Sequence, residues 1–556
     1  MWTGLPAGHG GKGKRMKLQK IGEKLQGKYA LYYLCFLALN YIEYLCANKA
    51  GNVWKTAANC TGLVIMVIVF SQLPIRQFLK PVYYGYTVLC MAAIGLIYLH
   101  WRQHIGEYCF GQMATAVMNV WWLGMAVPWF FRKVIEEKTL KLRIGALGWT
   151  WILFAVWSVI SVAGRWWPVW YLLMFGTFYL TRFSREDKEA LTRAMVDGTI
   201  ASFFILQTFA YLFRPYDRTR YHGAFVNSNM MALYYLIIYC MVLVKLHLLH
   251  AKGAKWGWKL FYGVGAAGLL GFQFLTICRT SWVCSIVITL YYGWTVLHRT
   301  WGEKIRKVVL RGCALGLSAV VLFPVVFWTV RWLPTIHPHP IWHPGEWQTD
   351  SVFSWDPPDS EKYVEMDEFL EDALGRIVNV LKLLQSRNPF VLHAYARAED
   401  VIPEPDYDWQ RSSLTVRKVF FQTYWEHATW LGHPEEDGHY VFGESGVYMW
   451  HSQNLWIQMV YYFGYPAGIL VFLMLALSLW KALKKAGTLR EDSYAILPII
   501  IWLVYFMFGL VEVVWNPGQL IFTYVFLVMH PQLAGEIQGG AEALPERAGT
   551  EARERE

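Results

Sequence analysis

Four polar residues, His451, Ser452, Gln453 and Asn454, stand in a row just before an apolar run that continues to Trp480. The stretch from Trp450 to Gly468 reads W-H-S-Q-N-L-W-I-Q-M-V-Y-Y-F-G-Y-P-A-G, so a titratable cluster sits where a polar segment enters an apolar helix. An imidazole there can move protons near neutral pH. Ionisable groups are costly at the centre of a bilayer, so such chemistry belongs at its edge. The competing reading is a helix cap, with Ser452 or Asn454 accepting from the first free backbone N–H groups.

Three further polar outliers could share that edge. In R-Y-H-G-A-F-V-N-S-N-M-M-A, Arg220, Gly223, Asn227 and Asn229 precede an apolar span; in L-T-I-C-R-T-S-W, Arg279 lies between two spans joined by almost no loop. A guanidinium held there cannot retreat into bulk water and calls for an anionic partner or ligand. The third outlier is Arg417, preceded by Arg411. Taken singly, Arg220 and Arg279 also read as interfacial residues that snorkel, and Arg417 as a solvated side chain. Together, three arginines and a His/Gln/Asn cluster describe an anion-binding cavity. Planar guanidinium forks suit phosphate oxygens, which they grip bidentately while staying charged.

The elements that must position these residues are membrane helices. Of 556 residues, 55% are hydrophobic and only 16% charged, and mean hydropathy is +0.27, which excludes a single soluble core. A window of about 20 apolar residues gives about fourteen spans. They centre on Leu37, Met66, Met91, Trp121, Phe154, Leu173, Phe204, Ile237, Ala266, Val287, Val320, Val471, Leu503 and Tyr524. The net charge of +11 comes from short basic clusters between spans, not from a nucleic-acid-binding face. With the N-terminus inside, the inner loops hold clusters such as Arg132, Lys133, Lys138, Lys141 and Arg143, while the outer loops hold scattered cations such as Lys49 and Arg102. That asymmetry predicts an all-α polytopic membrane protein with both termini in the cytoplasm. The nine cysteines show no zinc-type spacing and read as small core residues.

The expected order is a basic cytoplasmic tail (1–28), spans 1–11 (29–332), a large extracytoplasmic loop (333–453), spans 12–14 (454–530) and a disordered cytoplasmic tail (531–556). The loop opens with H-P-H-P-I-W-H-P. Its alternating prolines enforce an extended backbone and no carboxylate is interleaved, which argues against a metal site at His337, His339 and His343. Helical periodicity then runs from Tyr363 through Met366, Leu370, Leu374 and Ile377 to Leu381, and a second helix is expected from Ser413 to Leu431. Both are expected to be re-entrant or membrane-lying lids over a cavity.

From Asp217 to Val528 the chain resembles the O-antigen ligases and O-antigen polymerases. The resemblance rests on the R-x-x-G-x-x-x-N-x-N pattern of Arg220, Gly223, Asn227 and Asn229, on Thr276 and Arg279 opening a span, on Arg417 in the outer loop, and on a His-Asn then Gly motif entering the next span. In one departure, the family's histidine position falls on Gln453, with His451 two residues earlier, and the glycine pair is stretched to Gly464 and Gly468 around Pro466. In an extended linker, side chains two apart share a side, so His451 would reach the place Gln453 faces. His451 is then the preferred catalytic imidazole, with Gln453 acting by hydrogen bonding alone as the alternative.

The resemblance implies a glycosyltransferase that polymerises or ligates glycans from a polyprenyl-diphosphate donor at the outer face of a bacterial cytoplasmic membrane. It implies diphosphate bound by Arg220, Arg279 and Arg417, a glycan or lipid-glycan acceptor, and inversion by single displacement. No cofactor is expected, and no aspartate-rich motif stands on the outer face, so the reaction is expected to be metal-independent. Glu512 and Trp515 line the acceptor groove or, equally, form a helix end paired with an arginine. Two other classes stay open: a transporter or flippase of lipid-linked glycans, and a non-catalytic partner in cell-envelope assembly.

Overall fold

Apolar stretches of this length fold as helices because a bilayer offers their backbone groups no hydrogen-bond partner outside the segment. The computed structural model describes residues 28–47, 53–73, 80–101, 145–162, 167–181, 183–214, 216, 219–225, 227–336, 364–385, 413–434, 440–442, 447–449, 451–515 and 519–537, with 117, 120, 129 and 132 singly. The first helices are α1 Lys28–Ala47, α2 Val53–Phe70, α3 Pro81–Trp101, α4 Ala146–Ile160, α5 Trp167–Leu180 and α6 Arg185–Phe213. Next come α7 Ser228–Ala251, α8 Trp256–Leu275, α9 Arg279–Tyr292, which continues as a π-helix over Gly293–Thr300, and α10 Ile305–Ile336. The loop contributes α11 Met366–Gln385, α12 Ser413–Glu426 and an antiparallel hairpin of β1 Tyr440–Phe442 with β2 Val447–Met449. The chain closes with α13 Leu455–Phe463, α14 Tyr465–Ala486, α15 Leu497–Gly509 and α16 Leu520–Ile537.

Six helices among the described residues are long and apolar enough to cross a bilayer, and four shorter ones are also apolar: the architecture of a helical membrane protein. Thirteen of the expected span centres fall on described helices, and the remaining one, Trp121, lies outside the described residues. Arg411, the His337–His343 run and most of both expected tails also lie outside them. Three helices overrun expected boundaries: α1 begins at Lys28, within the expected tail. α10 continues past 332 to Ile336, and α16 past 530 to Ile537.

α7 is the central helix: 83% of its most apolar window is buried, against 6% for α3. A helix apolar all round belongs in the middle of a bundle. α6 carries the polar side chains that lock the interior. The Thr199 hydroxyl meets the Tyr524 hydroxyl at 2.5 Å, and the latter also accepts from Asn40 Nδ2 at 3.0 Å. Ser202 meets Tyr234 at 2.8 Å, and Gln207 accepts from Tyr235 at 2.7 Å. Each pair satisfies groups that would otherwise be buried unpaired.

One end of the bundle collects paired charges. Lys28 meets Asp187 at 2.8 Å, Lys245 meets Asp197 at 2.5 Å, Arg311 meets Glu303 at 2.6 Å and Lys485 meets Asp492 at 2.7 Å. The opposite end holds the loops before α7, α9 and α13 and the loop after α15. The apolar run expected to form one helix breaks there into α13 and α14. Gly464 has φ +88°, a left-handed conformation that glycine adopts without penalty. A Cβ there would collide with the Trp430 carbonyl, so the break is also fixed by close packing.

Candidate functional site

The R-Y-H-G segment is folded as a turn. Tyr221 N–H donates to the Leu275 carbonyl at 2.9 Å, tying the turn to the end of α8. Gly223 turns the chain at φ +49°, where a Cβ would lie 2.7 Å from the Met231 methyl, so its part is geometric. Asn227 caps α7 by accepting from Asn229 N–H at 2.7 Å. These restraints point Arg220 across the end of the bundle, where Nε donates to the Thr276 carbonyl at 3.3 Å and Nη2 to Asn229 Oδ1 at 2.6 Å. Burial pulls the Arg220 guanidinium below its usual pKa, which still leaves it charged at neutral pH.

From Arg220 a chain of contacts leads to the Trp450 segment. Asn229 bridges, donating Nδ2 to Glu512 Oε1 at 2.7 Å. That same oxygen lies 3.7 Å from Arg417 Nη2, and Arg417 Nε donates to Gln453 Oε1 at 3.0 Å. Gln453 N–H in turn donates to His451 Nδ1 at 3.1 Å. Arg220, before the seventh helix, and His451, at the end of the large loop, are thereby joined through one continuous run of polar contacts.

The backbone at Gln453 overturns one expectation. The linker is not extended: Gln453 has φ +53°, a left-handed turn uncommon for a non-glycine residue. His451 and Gln453 therefore do not share a side by alternation; they meet through the turn. Because backbone N–H can only donate, His451 Nδ1 is the acceptor, and the neutral ring carries its proton on Nε2. The cap reading holds for the neighbours. Asn454 caps α13, accepting from Ile457 N–H at 3.0 Å and donating to the Leu510 carbonyl at 3.1 Å, and Ser452 Oγ donates to the Asn454 carbonyl at 2.9 Å.

Arg279 opens α9 after a tight turn in which Ile277 has φ +48°. Its side chain is half-buried and makes no hydrogen bond or ion pair among the described residues. The titratable groups that act on it are two like charges, Arg376 and Arg417, and the neighbouring Cys278 thiol. Arg376, on α11, is a functional candidate that sequence pattern does not single out. It is buried, donates Nε to Asp372 Oδ1 at 2.8 Å, and acts electrostatically on both Arg220 and Arg279. Thr219, beside Arg220, donates to Asp372 Oδ2 at 3.0 Å. The available signal is the i,i+4 spacing of Asp372 and Arg376 on an amphipathic helix, a pattern that also describes a solvated face.

The two loop helices stand over this end by separate anchors. Arg331 holds the start of α11, donating to the Val364 carbonyl at 3.0 Å and to Glu365 Oε1 at 2.7 Å. α12 rests on α13 through Tyr424 against Tyr461 and Trp425 against Trp456. Trp515 does not join the cluster. It is buried among Trp151, Phe154 and Phe522, which places it in the aromatic core and not along a groove shared with Glu512. Two cavities also lie elsewhere, one of about 20 Å³ within that aromatic core and one a shallow apolar groove on α10. The arginine cluster is marked by its charges: among the described residues it sets four guanidiniums (Arg220, Arg279, Arg376, Arg417) against two carboxylates (Asp372, Glu512). No group of three metal-ligating side chains occurs among the described residues.

Fold and site together define a helical membrane protein with a cluster of guanidinium groups at one end. No protein-family profile matches the chain, and no curated protein matches it.

Proposed function

We propose that the protein is a membrane glycosyltransferase that polymerises or ligates glycans carried on a polyprenyl diphosphate, as O-antigen ligases and polymerases do. The observation that carries this reading is Arg279, a half-buried guanidinium with no acidic partner among the described residues and with Arg376 and Arg417 acting on it. Like charges gathered at an interface are unfavourable until an anion joins them. A diphosphate supplies that anion, and fixed cations favour the transition state in which it departs with added negative charge.

In this reading the chain has about fourteen spans, with the paired-charge end in the cytoplasm and the arginine cluster on the outer face of a bacterial cytoplasmic membrane. Undecaprenyl diphosphate keeps its lipid in the bilayer and its diphosphate at Arg220, Arg279 and Arg417, with Arg376 completing the set. The acceptor hydroxyl attacks the anomeric carbon opposite the departing diphosphate, which inverts that centre, and no metal takes part. His451 and Gln453 border the acceptor side, where the Nε2–H of His451 orients the incoming glycan.

A flippase would also need cations near diphosphate, yet transporters place substrate at helix breaks near the midplane. The break at Gly464 is instead closed by backbone packing against Trp430 and Gly432. The full chain in nanodiscs, given lipid-linked glycans extracted from cells lacking it, is expected to transfer or extend the glycan. Movement of the lipid between leaflets without transfer would identify a flippase, and neither activity would identify an assembly partner.

A further inference from the structure

Glycosyl transfer to a hydroxyl needs a recipient for the hydroxyl proton, and most polar groups at the arginine cluster are committed elsewhere. His451 Nδ1 accepts from Gln453 N–H, so the neutral ring presents a donor at Nε2. The Gln453 amide is not basic. Asp372 is engaged through both oxygens, Oδ1 with Arg376 and Oδ2 with Thr219. Glu512 differs. Its Oε1 is held by Asn229 at 2.7 Å and lies 3.7 Å from Arg417, whereas Oε2 makes no hydrogen bond among the described residues, and the side chain keeps 14% of its surface exposed.

We infer that Glu512 is the general base of the reaction, an assignment that rests on the glycosyltransferase reading above. One oxygen is fixed and the other is uncommitted among the described residues, which is the arrangement a positioned base requires. As the acceptor oxygen bonds to the anomeric carbon, its O–H bond breaks and the proton passes to Glu512 Oε2. The bond from the anomeric carbon to the diphosphate oxygen breaks in the same displacement, and the electron pair leaves with the polyprenyl diphosphate. Glu512 then returns the proton to solvent. The charged and titratable groups facing it are Arg417 from the loop, Arg220 through Asn229, and the Cys278 thiol before α9.

The test uses the full chain in nanodiscs with lipid-linked glycans extracted from cells lacking it, under single-turnover conditions. Glu512→Gln keeps an acceptor for Asn229 and is expected to bind donor within about twofold of wild type while transferring about 10²- to 10⁴-fold more slowly. Its residual rate is expected to climb with pH as hydroxide substitutes for the lost base. Sodium formate is expected to restore part of the rate to Glu512→Ala and none to Asp372→Ala. Wild-type rates in Glu512→Gln, or a loss confined to donor affinity, would overturn the assignment alone. Absence of transfer by the wild type would overturn the reading beneath it, and the assignment with it.

Discussion

Four cations at one end of the bundle are each matched by a carboxylate, whereas Arg220 and Arg279 at the other are not hydrogen-bonded to one among the described residues. At one end, Lys28, Lys245, Arg311 and Lys485 each contact a carboxylate within 2.8 Å. At the other, Arg331 and Arg376 meet carboxylates at 2.7 and 2.8 Å, but Arg279 has none among the described residues, and Arg220 donates to a carbonyl and an amide oxygen. Paired charges fasten helices to one another. An unmatched surplus does not, and its cost is offset when an anionic ligand arrives. The contrast separates the charges that hold the fold from those available for chemistry.

Substitutions at the two ends sharpen that contrast. Asp197→Ala removes the partner of Lys245 and the acceptor of Tyr29. It is expected to destabilise the protein by about 3 kcal/mol in thermal unfolding, with transfer per folded molecule unchanged. Arg417→Lys keeps the charge but loses the fork that reaches both Gln453 and Glu512. The expected result is donor affinity about tenfold weaker and stability within about 0.5 kcal/mol of wild type. A stability loss as large as that of Asp197→Ala would put Arg417 with the fastening charges. Asn454→Ala, beside the cluster, is expected to cost about 1 kcal/mol through the lost helix cap and to leave donor affinity unchanged; weakened binding at full stability would move Asn454 from scaffold to site.

Much of this arrangement is legible in the sequence because it follows from local patterns. Hydrophobic periodicity from Met366 to Leu381 anticipates α11, and span counting anticipates that the segments holding Arg220, Arg279, Arg417 and His451 share one end. The rest depends on contacts between distant residues. The left-handed turn at Gln453 is held within a network that includes Arg417 and has no signature in H-S-Q-N. Trp515 follows Glu512 by three residues, yet it turns into the aromatic core because Trp151 and Phe154 wait there. Arg376 reads as one member of a solvated pair, and only packing shows that it is buried. The apolar run to Trp480 reads as one helix, and only the approach of Trp430 to Gly464 shows why it breaks into α13 and α14.

If the unmatched guanidinium at Arg279 belongs to a diphosphate site, its loss must weaken the hold on that group. Binding of undecaprenyl diphosphate to wild type and Arg279→Ala in nanodiscs tests it most directly. Saturable binding to wild type is expected, with affinity lower by about 10- to 100-fold in the variant and equal unfolding temperatures without ligand. Equal affinity in the two proteins, or no binding by wild type, would contradict it.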